Sequence, residues 1–453
     1  MTAVETNYHE GLMHRLVNIY QDVDTTILGA IADRVLARLD DASTPGIGAA
    51  SRWDESSCLL ISYADSITDG RKSSLACLGE FVETHLNDVI DSVHILPFFP
   101  STGDDGFSVM DYRAVDPRLG SWGDLTNMSS SRKIMADVIL NHGSRSSAWF
   151  RQFVDGEAPG NGYFLSVDDD FDVSHVIRPR EHALLQPVTT VGGEKKVWCT
   201  FSEDQVDFVF SNPLLLEACI GIIPDFIDHG VRILRLDAVG FLWKEPGTTC
   251  LNLHQTHAII QLIRYIADIY DDETVIVTET NLPNQENLSY FGNGNEAHWI
   301  YNFSLPPLIL YSLLFADSSI LRRWSMSMPP ALIGTSYLNF LSSHDGFGMR
   351  PTEGLLDATQ RQRLLDRLEA NGSLFSRRAK ADGTTSVYEA NTTLFSALEK
   401  SDGDPTGALS SARFIAAYAL MFGLEGIPAI YFNSLISAQN HTDGVARSGM
   451  KRR

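Results

Sequence analysis

The chain has 453 residues, 44% apolar and 10% aromatic, an ordinary globular composition with enough length for a large core. Acids outnumber bases 57 to 35, for a net charge of −22, so nucleic acid and anionic membranes are not favoured partners, and an anionic substrate needs a local cluster of Arg or Lys. The five cysteines are an odd number without a CxxC pair, which argues against a disulfide framework and a structural zinc site.

In chain order, MTAVETNYHEGLM has no basic n-region and no apolar h-region, so no secretory leader is expected and the cytoplasm is the expected location. Residues 1–55 are expected to form an N-terminal extension, helical over 11–39. Eight short apolar runs follow: LLISYAD (59–65), SVHILPFF (92–99), KIMADVIL (133–140), VRILRLDAV (231–239), TVIVTET (274–280), AHWIYNF (297–303), SYLNFLSS (336–343) and IPAIYFN (427–433). Continuous apolar runs suit strands covered on both faces, and amphipathic stretches such as 253–268 and 412–422 lie between them. The expected fold is α/β, a (β/α)₈ TIM barrel built from 56–142, 208–347 and 410–453. Residues 143–207, rich in Gly, Asp and Pro, are expected as an inserted subdomain after strand three. Residues 348–409 are expected as a second, between strands seven and eight. The apolar stretch 414–432 contains Glu425 and Pro428 and reads as helix, turn and strand, not as a membrane span.

The runs end in polar residues: Asn141-His142, Arg235 and Asp237, Glu279, and His344-Asp345. In a (β/α)₈ barrel these ends converge at the C-terminal face, where catalytic side chains collect. Arg235 and Asp237 are two apart and share a strand face. Glycosyl transfer with retention needs one carboxylate that attacks and another that protonates the leaving oxygen. Arg235 is expected to hold Asp237 ionised, and a dry, like-charged setting to keep Glu279 protonated until it donates. Asp345 is expected to hold sugar hydroxyls and stabilise an oxocarbenium-like state. Arg350 is the expected clamp for an acceptor carboxylate, since its planar fork suits that shape; the alternative is a surface arginine. Lys244 is a weaker candidate. His254 and His257 are three apart in a helical pattern, with no third ligand nearby, so no metal is expected.

DVILNH, RLDAVGF, TETN and SSHDG resemble the four signature regions of glycoside hydrolase family 13, the α-amylase superfamily, over about residues 58–450. HILPFFPSTGDDGFSVMDY, RLGSW and TFSEDQVDF resemble its sucrose phosphorylase branch. LRLDAVGFLWKEPGTTC and SHDGFGMRPTEGLL lean toward the branch members that act on glucosylglycerate. The resemblance implies Asp237 as nucleophile, Glu279 as general acid/base and Asp345 as the third catalytic carboxylate. It places Asp104, Phe107, His142, Arg235 and His344 on the glucosyl unit. Phe241 and Asn281 stand where sucrose phosphorylases usually carry Tyr and His, on the acceptor and phosphate side. Arg452 is matched to an arginine that binds phosphate or the leaving group. The branch normally continues into a β-domain, expected to be missing here. The implied reaction is reversible phosphorolysis of 2-O-α-glucosylglycerate to α-glucose 1-phosphate and glycerate, with phosphate as co-substrate and no cofactor. Sucrose or glucosylglycerol phosphorolysis, hydrolysis or transglucosylation, and a truncated sugar-binding remnant remain alternatives.

Overall fold

The computed structural model describes residues 3–39, 52–379 and 384–449. Eight strands, Leu59–Ser62, Ser92–Ile95, Lys133–Ile139, Val231–Asp237, Val275–Thr278, Trp299–Tyr301, Ser336–Phe340 and Ile427–Tyr431, close into a barrel. Each lies inside one of the eight apolar runs. All neighbours pair in parallel, and the first strand meets the eighth at Leu59↔Ala429. The strands are almost wholly buried because helices such as His254–Tyr270 and Leu305–Phe315 cover their outer faces.

Register determines which polar residues meet inside. Asp137 on the third strand stands opposite Arg235 on the fourth, and Leu236 stands opposite Thr278 on the fifth. Alternation then turns Arg235 and Asp237 to one face and Leu234 and Leu236 to the other. The Arg235 guanidinium donates to Asp137, whose other oxygen lies 3.0 Å from His94. A charged residue inside a barrel is tolerated only when paired in this way.

The N-terminal extension forms two helices, Ala3–Ile19 and Thr25–Leu39, with Asp24 accepting the Thr26 N–H at the start of the second. The first inserted segment is zipped at its root. His142–Ser144 pairs antiparallel with Gln205–Asp207, placing His142 opposite Asp207. A hairpin, Leu185–Thr190 and Gly193–Trp198, forms its outer part. In the second insertion, Phe347–Gly348 pairs with Thr385–Asn391, which pairs with Leu374–Ala379. This segment is not a separate layer. Its Leu364, Leu368 and Ala390 share one apolar cluster with Leu308 and Leu314 of a barrel helix and with Phe414. Among the described residues, no helix is long and apolar enough to cross a membrane.

Candidate active site

Ten of the residues singled out in the sequence line one pocket at the C-terminal ends of the strands. Arg235 lies beneath it, buried, and Arg452 lies outside the described residues.

The pocket floor is built on Arg235. Its Nη1 donates to Asp237 Oδ1 at 2.7 Å, and its Nη2 lies 4.0 Å from Glu279 Oε2. Glu279 follows the fifth strand directly, and its N–H donates to the Leu236 carbonyl, so the two acids sit on adjoining strand ends. Ala238, just past Asp237, takes a left-handed φ of 48°, an unusual conformation for a residue with a Cβ. Its N–H donates to Glu279 Oε2 at 3.0 Å. A strained turn thus ties the backbone beside one carboxylate to the side chain of the other.

Burial raises both acids, and Arg235 opposes it at each. Burial pushes the Glu279 carboxyl up to about 7, Arg235 opposes this, and the negative charges of Asp237 and Asp345 add to it. Burial also raises Asp237, so Arg235 does not by itself secure the ionisation expected from sequence. Arg235 opposes the shift through a direct hydrogen bond that Glu279 lacks. Burial would likewise raise Asp137, but His94 and Arg235 outweigh it and hold that carboxyl at about 2. Arg235 is thereby anchored from below by an ionised partner.

The residues expected on the sugar side form a wall. The Phe107 ring stacks on His344, with centroids 4.9 Å apart and planes at 8°. Burial pulls His344 down to about 3, so it is a neutral imidazole beside Asp345, 3.2 Å away. His142 Nε2 lies 3.1 Å from the Phe107 carbonyl. Asp104, in a left-handed turn beside Asp105, accepts from Gln205 Nε2 at 3.0 Å. Gly106 has φ +105°, and a Cβ there would lie 2.7 Å from the Pro97 carbonyl oxygen, so this loop requires glycine.

The residues expected on the acceptor side are more heterogeneous. Phe241 meets Phe201 edge-on at 5.5 Å. Asn281 presses against Gly348, where a Cβ would come within 2.5 Å of Asn281 Oδ1, and that oxygen is buried without a partner. Arg350 is 5% exposed with a buried, unpartnered Nε, which removes the surface-arginine alternative. Among the described residues, it forms no ion pair. Lys244 does not face the pocket as an acceptor cation. Its ammonium is bound to Asn141 Oδ1 and Asp207 Oδ2. His254 and His257 have separate partners, Asn18 and Glu296.

Sequence reading missed Arg180, Phe201, Gln205, Tyr388 and Glu389, all of which line the pocket from the inserted segments. Arg180 lies 5.8 Å from the Phe201 ring and 5.6 Å from the Tyr388 ring. Burial pushes Glu389 up to about 7, Arg180 opposes this, and Asp345 and Glu279 add to it. Phe201 and Gln205 lie inside the TFSEDQVDF stretch quoted above, which could have flagged them, whereas Arg180, Tyr388 and Glu389 sit in no local pattern that marks them. Asp137 did carry a signal, as an acid inside an otherwise apolar strand.

The family model for the alpha amylase catalytic domain matches residues 86–345. A glucosylglycerate phosphorylase of Allomeiothermus silvanus is 40% identical over 431 residues, 94% of this chain and 77% of the relative. One from Escherichia coli is 38% identical, over 88% of this chain and 72% of the relative. Among solved structures, the sucrose 6F-phosphate phosphorylase of Thermoanaerobacter thermosaccharolyticum superposes with a TM-score of 0.78 at 27% identity, over 89% of this chain and 82% of the other. A domain match across more than half of the chain, relatives aligned over most of both lengths, and paired acids at the mouth of a closed parallel barrel have one common explanation: this chain belongs to the alpha-amylase family.

Proposed function

We propose that the chain is a retaining α-glucosyl phosphorylase acting on 2-O-α-glucosylglycerate. The observation that carries this reading is the pair Asp237 and Glu279 at one guanidinium, with Glu279 near 7 and so available as a proton donor at neutral pH. Asp237 attacks the anomeric carbon while Glu279 gives its proton to the departing oxygen of glycerate, which leaves a glucosyl ester on Asp237. A phosphate oxygen then attacks the same carbon, the bond to Asp237 breaks, and Glu279 recovers a proton. Two inversions release α-glucose 1-phosphate. His142, His344, Asp104 and Phe107 hold the glucosyl unit in this reading, and Asp345 supports the cationic transition state.

The choice of glycerate is supported by the relatives of that activity and by Arg350, a buried cation with no ion pair among the described residues. In a chain of net charge −22, such a cation suits an anionic acceptor. Arg180 is a second cation on that side, suited to phosphate. A cytoplasmic location belongs to the same reading and is supported by five buried, free thiols. The test is incubation with glucosylglycerate, glucosylglycerol and sucrose, with and without phosphate, assaying glucose 1-phosphate and glucose. Phosphate-dependent glucose 1-phosphate, formed fastest from glucosylglycerate, is expected. Equal glucose release with and without phosphate would identify a hydrolase instead.

A further inference from the structure

The Asn141–Lys244–Asp207 cluster lies behind the sugar wall and takes no part in the chemistry above. The Lys244 side chain is 3% exposed, and that of Asp207 is wholly buried. Lys244 Nζ donates to Asn141 Oδ1 at 2.7 Å and contacts Asp207 Oδ2 at 2.6 Å. Asn141 Nδ2 donates to Asp207 Oδ2 at 2.9 Å. The Thr200 backbone N–H and hydroxyl donate to the same carboxylate at 2.9 and 2.6 Å. An ammonium can only donate and an ionised carboxylate can only accept. The Asn141 amide therefore has a single satisfactory orientation, with oxygen toward Lys244 and nitrogen toward Asp207.

That orientation places the Asn141 NH₂ 3.3 Å from His142 Nδ1. A neutral imidazole donates through one nitrogen and accepts through the other, and its neighbours decide which. Two neighbours of His142 favour the proton on Nε2. Asn141 offers Nδ1 a donor, and the Phe107 carbonyl offers Nε2 an acceptor at 3.1 Å. Only Gln205 Nε2, 3.0 Å from His142 Nε2, favours the opposite form, and it keeps Asp104 as an acceptor in either case. The Nδ1–H form would thus set two contacts wrong and the Nε2–H form one. Burial, with Lys244 adding to its effect, lowers the His142 pKa, which keeps the ring neutral.

We propose that Lys244 is a positioning residue: by locking the Asn141 amide it fixes His142 as the Nε2–H tautomer, whose N–H is held by the Phe107 carbonyl and so sets the ring in place against the bound sugar. The last step rests on the reading of His142 as a glucosyl-binding residue. The lock also connects three segments: the end of the third strand, the root of the first insertion, and the loop after the Asp237 strand.

The test is ¹⁵N spectroscopy of histidine-labelled full-length protein at neutral pH, with the His142 signal assigned by its loss in His142→Asn. The two ring nitrogens of a neutral imidazole are distinguishable in such spectra. Wild type should show the proton on Nε2. Lys244→Met, with its amide lock removed, and Asn141→Asp, with the donor to Nδ1 replaced by an acceptor, should both move it to Nδ1. The kcat/KM for the α-glucoside should fall about tenfold in Lys244→Met, as for the loss of one oriented hydrogen bond. Lys244→Arg should restore the tautomer. Wild type with the proton on Nδ1 overturns the proposal, as does an unchanged tautomer in folded Lys244→Met. If Lys244→Met folds poorly, the wild-type and Asn141→Asp spectra still decide. If the tautomer moves as expected but no α-glucoside is turned over, the reaction assigned above fails and the positioning role stands.

Discussion

On the proposed function, replacing Arg350 with alanine should separate recognition of the acceptor from the chemistry. The side chain is buried at the acceptor end of the pocket, its Nε has no partner, and no carboxylate among the described residues is paired with it. Its removal therefore strands no buried acid, and the fold should survive. A hydrogen bond to a charged group is worth about 1.5–3 kcal/mol. Loss of such a contact to the glycerate carboxylate should cost roughly 2 kcal/mol of transition-state binding, or about thirtyfold in kcat/KM. Glucosylglycerol presents the same glucosyl unit without the carboxylate, so it should lose little. The assay is phosphorolysis of both substrates by wild type and Arg350→Ala at saturating phosphate, read as the ratio of the two specificity constants. An unchanged ratio would show that Arg350 does not clamp the acceptor. If Arg350 holds phosphate instead, phosphorolysis of both substrates falls together while hydrolysis of the glucosyl-enzyme persists.

Asp237→Asn should lower turnover by roughly three or more orders of magnitude because no glucosyl ester can form, and activity within tenfold of wild type would exclude Asp237 as nucleophile. Because Glu279 is raised to about 7, its acid form dominates below that pH, and kcat/KM for phosphorolysis should fall as pH rises through about 7. The same shift means that wild type loses stability as pH rises from the ordinary glutamate value of 4.5 through about 7. The melting temperature of Glu279→Gln should therefore exceed that of wild type increasingly across that window and match it in more acid solution. Dialysis against a chelator should leave melting temperature and turnover unchanged, since no cluster of three or more His, Cys, Asp or Glu suited to a metal occurs among the described residues.

The barrel was legible because each strand is a short, mostly apolar run covered on both faces, and such runs stand out against polar loops even where they carry Asp137, Asn339 or Pro428. The acids at the strand ends were legible for a related reason. Asp237, Glu279 and Asp345 each close an apolar run, where a charge requires explanation. Arg180 and Glu389 were not legible, because they lie in inserted segments without periodicity, and Gln205, though inside TFSEDQVDF, carries no charge that would mark it. They reach the pocket only through pairings such as His142↔Asp207 and Gly348↔Glu389, which local sequence does not encode. Lys244 was visible as a cation, but its partners come from residues 141 and 207, so its inward anchoring could not be read from its own neighbourhood. The reach of the second insertion was also hidden. Its apolar residues look like the core of a small subdomain until the barrel helices packed against them are seen.

Closure of the barrel through Leu59↔Ala429 has a consequence for how the protein comes into being. The two paired strands lie at opposite ends of the sheet-forming sequence, so their meeting closes one of the longest loops the chain contains and belongs late in folding. Until then the first and seventh strands are open edges, each a row of unpaired amides able to capture another chain. The pocket walls depend on that same closure, since Asp345 lies five residues past the end of the seventh strand and the eighth must dock against that strand. Synthesis, which proceeds from the N-terminus, therefore yields Asp237 and Glu279 long before it yields a site. In the interval between, the unpaired strand edges leave the chain open to aggregation.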